Sequence, residues 1–402
     1  MKKWWIWLFA ACAIMIGVYI GGALTRPLAV NVPQIDFAKQ STAATDFSWP
    51  TNGRAAVGFL DSGASNCRVY GDAGEFPTAS LAKVITTQVV LSKYPLTGNS
   101  DGPTLTMTDA DVALLNATEA ENGSFVPIVA GEQLTERQML QAILLESANN
   151  LANSLAIWAF GSLDNYRAAA QDWLAKNGLT NITVGSDASG FDPSTKASAG
   201  DLCKLMLIAS ENSALVGVMG TQTVANFPVA NTLTNTNQLL GQDGVFAGKT
   251  GFTGDAGHGV LILAHVTVGG AEQTVAIAML GQDSYDAAFA GAQTLLDSVA
   301  KNLTIREIAK KGQTIGQVTS PWGAKTDLVA QNDMKIMTWL DQTADVTPIN
   351  LSRGRASLAS GEATSTLDFA NQSVRVVAKN NLAKPSWWWR ILHGFDFAKI
   401  HL

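Results

Sequence analysis

The stretch that most restricts what this chain can become is Pro77-Thr78-Ala79-Ser80-Leu81-Ala82-Lys83-Val84-Ile85-Thr86. It opens with proline and small residues and runs into an apolar segment, which predicts the start of a buried helix reaching about Tyr94. Residues three apart share a helix face, so Ser80 and Lys83 are expected to meet, with Cβ atoms roughly 5–6 Å apart. A serine hydroxyl is a weak nucleophile until a neighbouring base takes its proton. A lysine kept neutral by burial or by a second cation is such a base. A first-turn serine also lies where free backbone N–H groups and the positive end of the helix dipole favour a developing alkoxide.

Two later motifs complete the pattern in order. Ser147-Ala148-Asn149 follows a predicted helix, and Lys249-Thr250-Gly251 precedes a predicted strand. S-x-x-K, S-x-N and K-T-G in this order resemble the motif series of the penicillin-binding proteins and serine β-lactamases. Other readings of the same residues fail on spacing. Gly248-Lys249-Thr250 would need glycine at 243 to be a phosphate loop, and that residue is Asp243. The four histidines, His258, His265, His393 and His401, lack metal-ligand spacing, so a metallopeptidase is not expected, and the motif resemblance implies that neither a metal nor an organic cofactor is needed.

At 402 residues the chain exceeds one hydrophobic core, which predicts two globular domains with attachments. Its net charge of −6 and the lack of a basic stripe exclude a nucleic-acid partner. Lys2-Lys3 precede an uncharged, mostly apolar segment from Trp4 to Leu24. Its length suits one membrane crossing, with the bulk of the chain exported. An uncleaved anchor is favoured over a signal peptide cut near Gly21-Gly22-Ala23. At the other end, Trp387-Trp388-Trp389 opens a segment that, wound as a helix, groups Trp388, Ile391, Leu392, Phe395 and Leu402 on one side. That arrangement predicts a membrane-interface segment over 385–402. Apart from Cys12, the cysteines are Cys67 and Cys203, expected as two thiols rather than a disulfide framework.

Between the ends, residues 26–48 read as a linker and 49–303 as the catalytic domain. Strands are expected at 55–60 and 67–70, joined through Asp61-Ser62-Gly63. Thr135-Glu136-Arg137-Gln138 is a capping box, and its helix should end just before Ser147. Further helices are expected from about Asn150, over 166–177, 199–211 and 285–302, with a hairpin turning at Gly269-Gly270. Residues 105–122 fit neither period. Strands flanking a helical block, with a last helix over the sheet, predict an α/β (α+β) sandwich with a largely antiparallel sheet. Short alternating segments over 304–384 predict a small all-β domain, suited to spacing or docking.

Over about residues 50–384 the chain resembles the low-molecular-mass penicillin-binding proteins that are serine-type D-Ala-D-Ala carboxypeptidases. The resemblance rests on the three motifs and on Ser189-Gly190-Phe191, Ser198-Ala199-Gly200-Asp201-Leu202 and Asn235-Thr236-Asn237-Gln238-Leu239-Leu240. It implies an acyl-enzyme on Ser80 formed from a peptidoglycan stem peptide ending in D-Ala-D-Ala, and covalent inhibition by β-lactams. It makes Lys83 the base and Ser147 the proton relay, with Asn149 holding either the substrate amide or Lys83. Lys249 and Thr250 would hold the substrate carboxylate, and Gly251 would let the substrate approach the strand. The N–H groups of Ser80 and Phe252 would form the oxyanion hole. The chain departs from the pattern at Phe252, Asn150, Ala148 and His258. A D,D-endopeptidase, a β-lactamase or an inert exported binding protein would share the scaffold.

Overall fold

The computed structural model describes residues 4–26, 28, 34–35, 43–60, 67–228, 230–342, 347–348, 357–369 and 372–393. The Asp61-Ser62-Gly63 connection, Phe395 and Leu402 lie outside the described residues. The chain divides into a larger unit, 44–304, and a smaller one made from 1–43 and 305–402. Its first element is helix α1 (Trp4–Thr25), which belongs to the smaller unit.

The larger unit is built on a five-stranded antiparallel sheet. Its strands run in the order Val245–Thr253, Gly257–Val268, Ala271–Gln282, Arg54–Phe59, Arg68–Tyr70. One row of the register reads Lys249, Leu261, Ala278, Ala56, Val69 across the sheet. The central strands are buried almost continuously, from Val260 to Ala264 and from Val275 to Leu280, rather than at alternate positions. Helices on both faces cause this.

The helical block begins with α2 (Ala82–Lys93), every residue of which from Ala82 to Leu91 is buried. Residues 105–122, which fit neither period, split into the strand Thr104–Thr106 and helix α3 (Asp109–Ala120). The break is the Thr108–Asp111 capping box, which resets the chain between the two. The predicted capping box at Thr135 and Gln138 opens α4 (Glu136–Leu144), and α5 (Asn149–Phe160) and α6 (Leu163–Lys176) follow. Next come α7 (Ala199–Ser210) and α8 (Ser213–Met219), then the small hairpin Thr223–Phe227 with Asn231–Thr234. Neither α8 nor this hairpin is anticipated by the sequence pattern. Helix α7 packs on the Arg54–Phe59 and Ala271–Gln282 strands, and α9 (Tyr285–Asn302) on the Gly257–Val268 and Ala271–Gln282 strands.

The expectation of two thiols is corrected here, because Cys67 and Cys203 form a disulfide with Cα atoms 6.5 Å apart. Their separation of 136 residues conceals the pairing, which arises when α7 lies across the first strand of the sheet. Gly58 leaves the space: a Cβ there would stand 2.6 Å from Cys67 Sγ and 2.9 Å from Cys203 Sγ.

The smaller unit holds a curled six-stranded antiparallel sheet ordered Gln34–Ile35, Thr314–Thr319, Lys325–Ala330, Gln372–Ala378, Ala363–Phe369, Thr347–Pro348. A separate pair joins Leu303–Ala309 to Met334–Trp339. Ile308, Ile315, Val318, Leu328, Ile336, Leu367 and Val376 form the core between them. Gln34 pairs with Gln317 and Ile35 with Gly316, so part of the stretch read as linker is an edge strand. The unit ends in the short helix α10 (Trp387–Leu392).

Candidate active site

Ser80 sits on a 3-10 turn, Ala79–Leu81, that feeds directly into α2. Pro77 is not part of the helix. It is extended in the short strand Phe76–Pro77, paired with Lys196–Ala197, which suits a residue lacking an N–H donor. The turn is held under strain: Ala79 has φ +46, a left-handed conformation that costs an L-residue on the order of 1 kcal/mol or more. Gly190 presses against it from the facing loop, and a Cβ at that position would overlap the Ala79 carbonyl.

Lys83 is completely buried and donates from Nζ to Ser80 Oγ (2.7 Å), Asn149 Oδ1 (2.6 Å) and the Ser189 carbonyl (3.0 Å). Burial first, and then the nearby Lys249 charge, push its pKa well below the ordinary lysine value, while Asp187 pulls the other way. A lysine that has lost its proton here keeps two acceptors for its remaining hydrogens and turns its lone pair to Ser80.

Ser147 lies on the connection between α4 and α5, at φ +63 and nearly buried. The carbonyl of Ser124 accepts from Asn149 N (2.8 Å), which fixes the start of α5 and aims the Asn149 amide at Lys83. The Asn150 side chain accepts from Val126 N (3.2 Å) and donates to Val126 O (2.9 Å). An aspartate could not make the second bond, which explains this departure from the family pattern.

On the sheet's edge strand, Lys249 is buried and donates to Ser147 Oγ (3.0 Å) and to the Thr250 carbonyl (2.9 Å). Burial lowers its pKa to about 7. Lys83 bears a burial penalty together with the nearby charge of Lys249, and both favour its neutral form. The Thr250 hydroxyl shares a 2.6 Å hydrogen bond with Thr236. Gly251 serves the protein's own packing: a Cβ there would come within 3.0 Å of Leu81 N and 3.1 Å of Ser80 N. Its bareness lets the strand edge close on the serine turn, a neighbour that the sequence reading took to be substrate.

Phe252 is half exposed, its ring stacked on His258 at 4.2 Å, and His258 meets Tyr285 edge-on at 4.6 Å. Burial raises the Tyr285 phenol pKa, and a hydrogen bond with Thr250 opposes that shift. Tyr285 and Asp187 are site residues that the sequence pattern does not single out, since each reaches the site through tertiary packing, whereas Thr236 lies in the Asn235–Leu240 stretch that carries the resemblance without being given a role there.

All eight predicted positions therefore gather at one place, around a cleft of about 700 Å³ beside Ser80, Asn149 and Phe252. Glu121, Asp187, Asp192 and Asp255 line the cleft, and among the described residues no lysine or arginine lines it. Chemically, the arrangement offers a nucleophile, a desolvated amine base, a second hydroxyl joined to a second amine, and an open strand edge.

The family profile described as D-alanyl-D-alanine carboxypeptidase (peptidase S11) matches residues 72–282. A D-alanyl-D-alanine endopeptidase of Pseudomonas aeruginosa is 31% identical over 190 residues, 45% of this chain and 57% of that protein, so the chain spans little more than half of that relative. Penicillin-binding protein 5 of Haemophilus influenzae superposes with a TM-score of 0.62 at 17% identity, covering 86% of this chain and all of that one. A D-alanyl-D-alanine carboxypeptidase of Mycobacterium tuberculosis gives 0.52 at 27% identity, covering 66% of this chain and 96% of the other.

Proposed function

Since this chain belongs to the D-alanyl-D-alanine carboxypeptidase family, we propose that it removes the terminal D-Ala from peptidoglycan stem peptides through an acyl-enzyme on Ser80. The observation that carries the reading is the buried Lys83 amine at 2.7 Å from Ser80 Oγ. In this mechanism Ser80 Oγ bonds to the carbonyl carbon between the two D-Ala residues, and its proton passes to Lys83. The tetrahedral oxyanion is held by the N–H groups of Ser80 and Phe252, a stabilisation worth about 3–4 kcal/mol per donor in comparable sites. The C–N bond then breaks. Ser147, hydrogen-bonded to Lys249, relays the proton that Lys83 accepted to the leaving amine, and D-Ala departs with Lys83 neutral again. Water then attacks the ester, its proton passing by way of Lys83 to Ser80 Oγ, and the shortened stem peptide leaves as a carboxylic acid. Lys249 and Thr250 hold the carboxylate of the leaving residue, while Asn149 positions Lys83. β-Lactams would acylate Ser80 by the same first step, and the chemistry acts on the exported side of a membrane.

A second reading, D,D-endopeptidase cleavage of cross-linked stems, is favoured by the Pseudomonas relative and by the half-exposed Phe252 ring, which offers an apolar edge. The full chain in detergent, incubated with an acylated peptide ending in D-Ala-D-Ala, should release D-Ala, and Ser80→Ala should abolish release. Cleavage of cross-linked dimers without D-Ala release from the peptide would establish the second reading. Penicillin that still labels Ser80→Ala covalently would place the nucleophile elsewhere.

A further inference from the structure

We propose that Thr86, Asn153 and Tyr166 are positioning residues, which hold the 187–190 loop so that its Ser189 carbonyl turns the Lys83 amine onto Ser80. The proposal rests on the reading of Lys83 as the base for acylation.

A neutral lysine amine carries two hydrogens and one lone pair. Three oxygens surround Lys83 Nζ: Ser80 Oγ (2.7 Å), Asn149 Oδ1 (2.6 Å) and the Ser189 carbonyl (3.0 Å). The last two can only accept, so they take the two hydrogens and leave the lone pair for the Ser80 hydroxyl. A shift of either acceptor turns the lone pair away from the proton it must remove. Asn149 is fixed on α5, whereas the Ser189 carbonyl belongs to a loop and needs supports of its own.

Those supports come from side chains placed one helical turn beyond the site residues. On α2, three residues after Lys83, the buried Thr86 hydroxyl donates to the Ala188 carbonyl (2.6 Å). On α5, four residues after Asn149, Asn153 Oδ1 accepts from Ala188 N (2.9 Å). Asp187 Oδ1 accepts from Gly190 N (3.0 Å), which fixes the peptide unit carrying the Ser189 carbonyl itself. Three successive peptide units, 187–188, 188–189 and 189–190, are thus each held by a side chain.

The Thr86 hydroxyl has one proton, and the Ala188 carbonyl is its nearest pure acceptor; the Ala82 carbonyl of its own helix stands at 3.4 Å. Its contact with the Tyr166 hydroxyl on α6, at 2.7 Å, must then have the phenol as donor. Donation therefore runs from Tyr166 to Thr86 to Ala188, a buried chain in which each bond polarises the next. Burial raises the phenol pKa, against the pull of the Thr86 hydrogen bond and with help from the Asp187 charge, so Tyr166 keeps its proton.

The test is the pH dependence of penicillin acylation of the full chain in detergent, with wild type and Lys83→Ala as references. The charged groups acting on Lys83 are Lys249 on the edge strand and Asp187 on the loop, and the variants leave both in place. A carbonyl acceptor favours the ammonium over the neutral amine, so loosening the Ser189 carbonyl lowers the Lys83 pKa. Tyr166→Phe, which keeps the ring, should slow acylation about tenfold and move its acid limb to lower pH by about half a unit. Thr86→Val should act in the same direction, and Thr86→Ser, which keeps the hydroxyl, should restore the rate to within about threefold. An acid limb left in place by Tyr166→Phe would overturn the proposal even if the rate fell, because a merely loosened fold does not move it. Tyr166→Phe decides alone should Thr86→Val fail to fold, as judged by near-ultraviolet circular dichroism. Acylation that survives in Lys83→Ala would remove the base reading and the proposal with it. Loss of acylation there, beside an unmoved limb in Tyr166→Phe, would remove the proposal alone.

Discussion

In the proposed mechanism Lys83 and Lys249 divide two tasks between chemically identical groups, and placement sets which is which, Lys83 against Ser80 Oγ and Lys249 against Ser147 Oγ. Lys83 must be neutral to act, so acylation should fail at low pH as it gains its proton. Lys249 must be charged to hold a carboxylate, so acylation should fall again as pH rises through about 7. A bell-shaped rate of penicillin acylation is expected, and Lys249→Arg, charged at all accessible pH values, should move the alkaline limb upward by at least one unit. An alkaline limb unmoved by that change would remove Lys249 from the assignment. Glu136 makes a separate prediction. It is fully buried, neither carboxyl oxygen has a hydrogen-bond partner among the described residues, and burial raises its pKa to about 7. The folded state therefore binds the proton more tightly than the unfolded chain. The stability this confers is complete below about pH 4.5, the ordinary glutamate value, and is lost as pH rises through 7. Glu136→Gln should raise stability at pH 8 by about 1–3 kcal/mol and leave it nearly unchanged at pH 5, as measured by denaturant unfolding.

Among the elements, the 3-10 turn at Ser80 is shaped from two sides, by Gly190 on the facing loop and by Gly251 on the edge strand. Gly190 has φ +74 as well as no room for a side chain. Gly190→Ala should displace the turn and slow acylation by about a hundredfold, the scale on which small misplacements of reacting groups are felt. Normal acylation by that variant would show that the turn holds without the loop. The Cys67–Cys203 bridge joins the first hairpin of the sheet to α7 across 136 residues. Cys67→Ser with Cys203→Ser should lower stability by roughly 2–5 kcal/mol without altering the pH dependence of acylation. A midpoint of unfolding that does not change would mean that the bridge adds nothing to the fold.

At the scale of the whole molecule, the eight site residues fall in one unit, 44–304, and helices α1 and α10 in the other, 1–43 with 305–402. We propose that the second unit anchors and spaces the first from the bilayer. Deleting 385–402 should leave the protein membrane-bound, because α1 is long and apolar enough to cross a bilayer. Release of the truncated chain into the soluble fraction would show that α1 does not hold it. Anchoring should likewise be indifferent to Ser80→Ala, and a change in membrane partition in that variant would contradict the division of labour.

What the sequence determined alone was whatever depends on near neighbours. Ser80 and Lys83 are three apart, the Thr135–Gln138 box opens its own helix, and the apolar run of α1 is continuous, so each could be read locally. The order of the three motifs carried the site because a motif's residues travel together on one element. Tertiary structure alone decided that Cys67 meets Cys203, that Gly251 faces the serine turn, and that Arg390 caps a helix 366 residues away. It also decided the depression of both lysines, since desolvation depends on everything packed around a group. Contacts between distant segments leave no periodicity in the chain, and only the closing of the fold brings them into being.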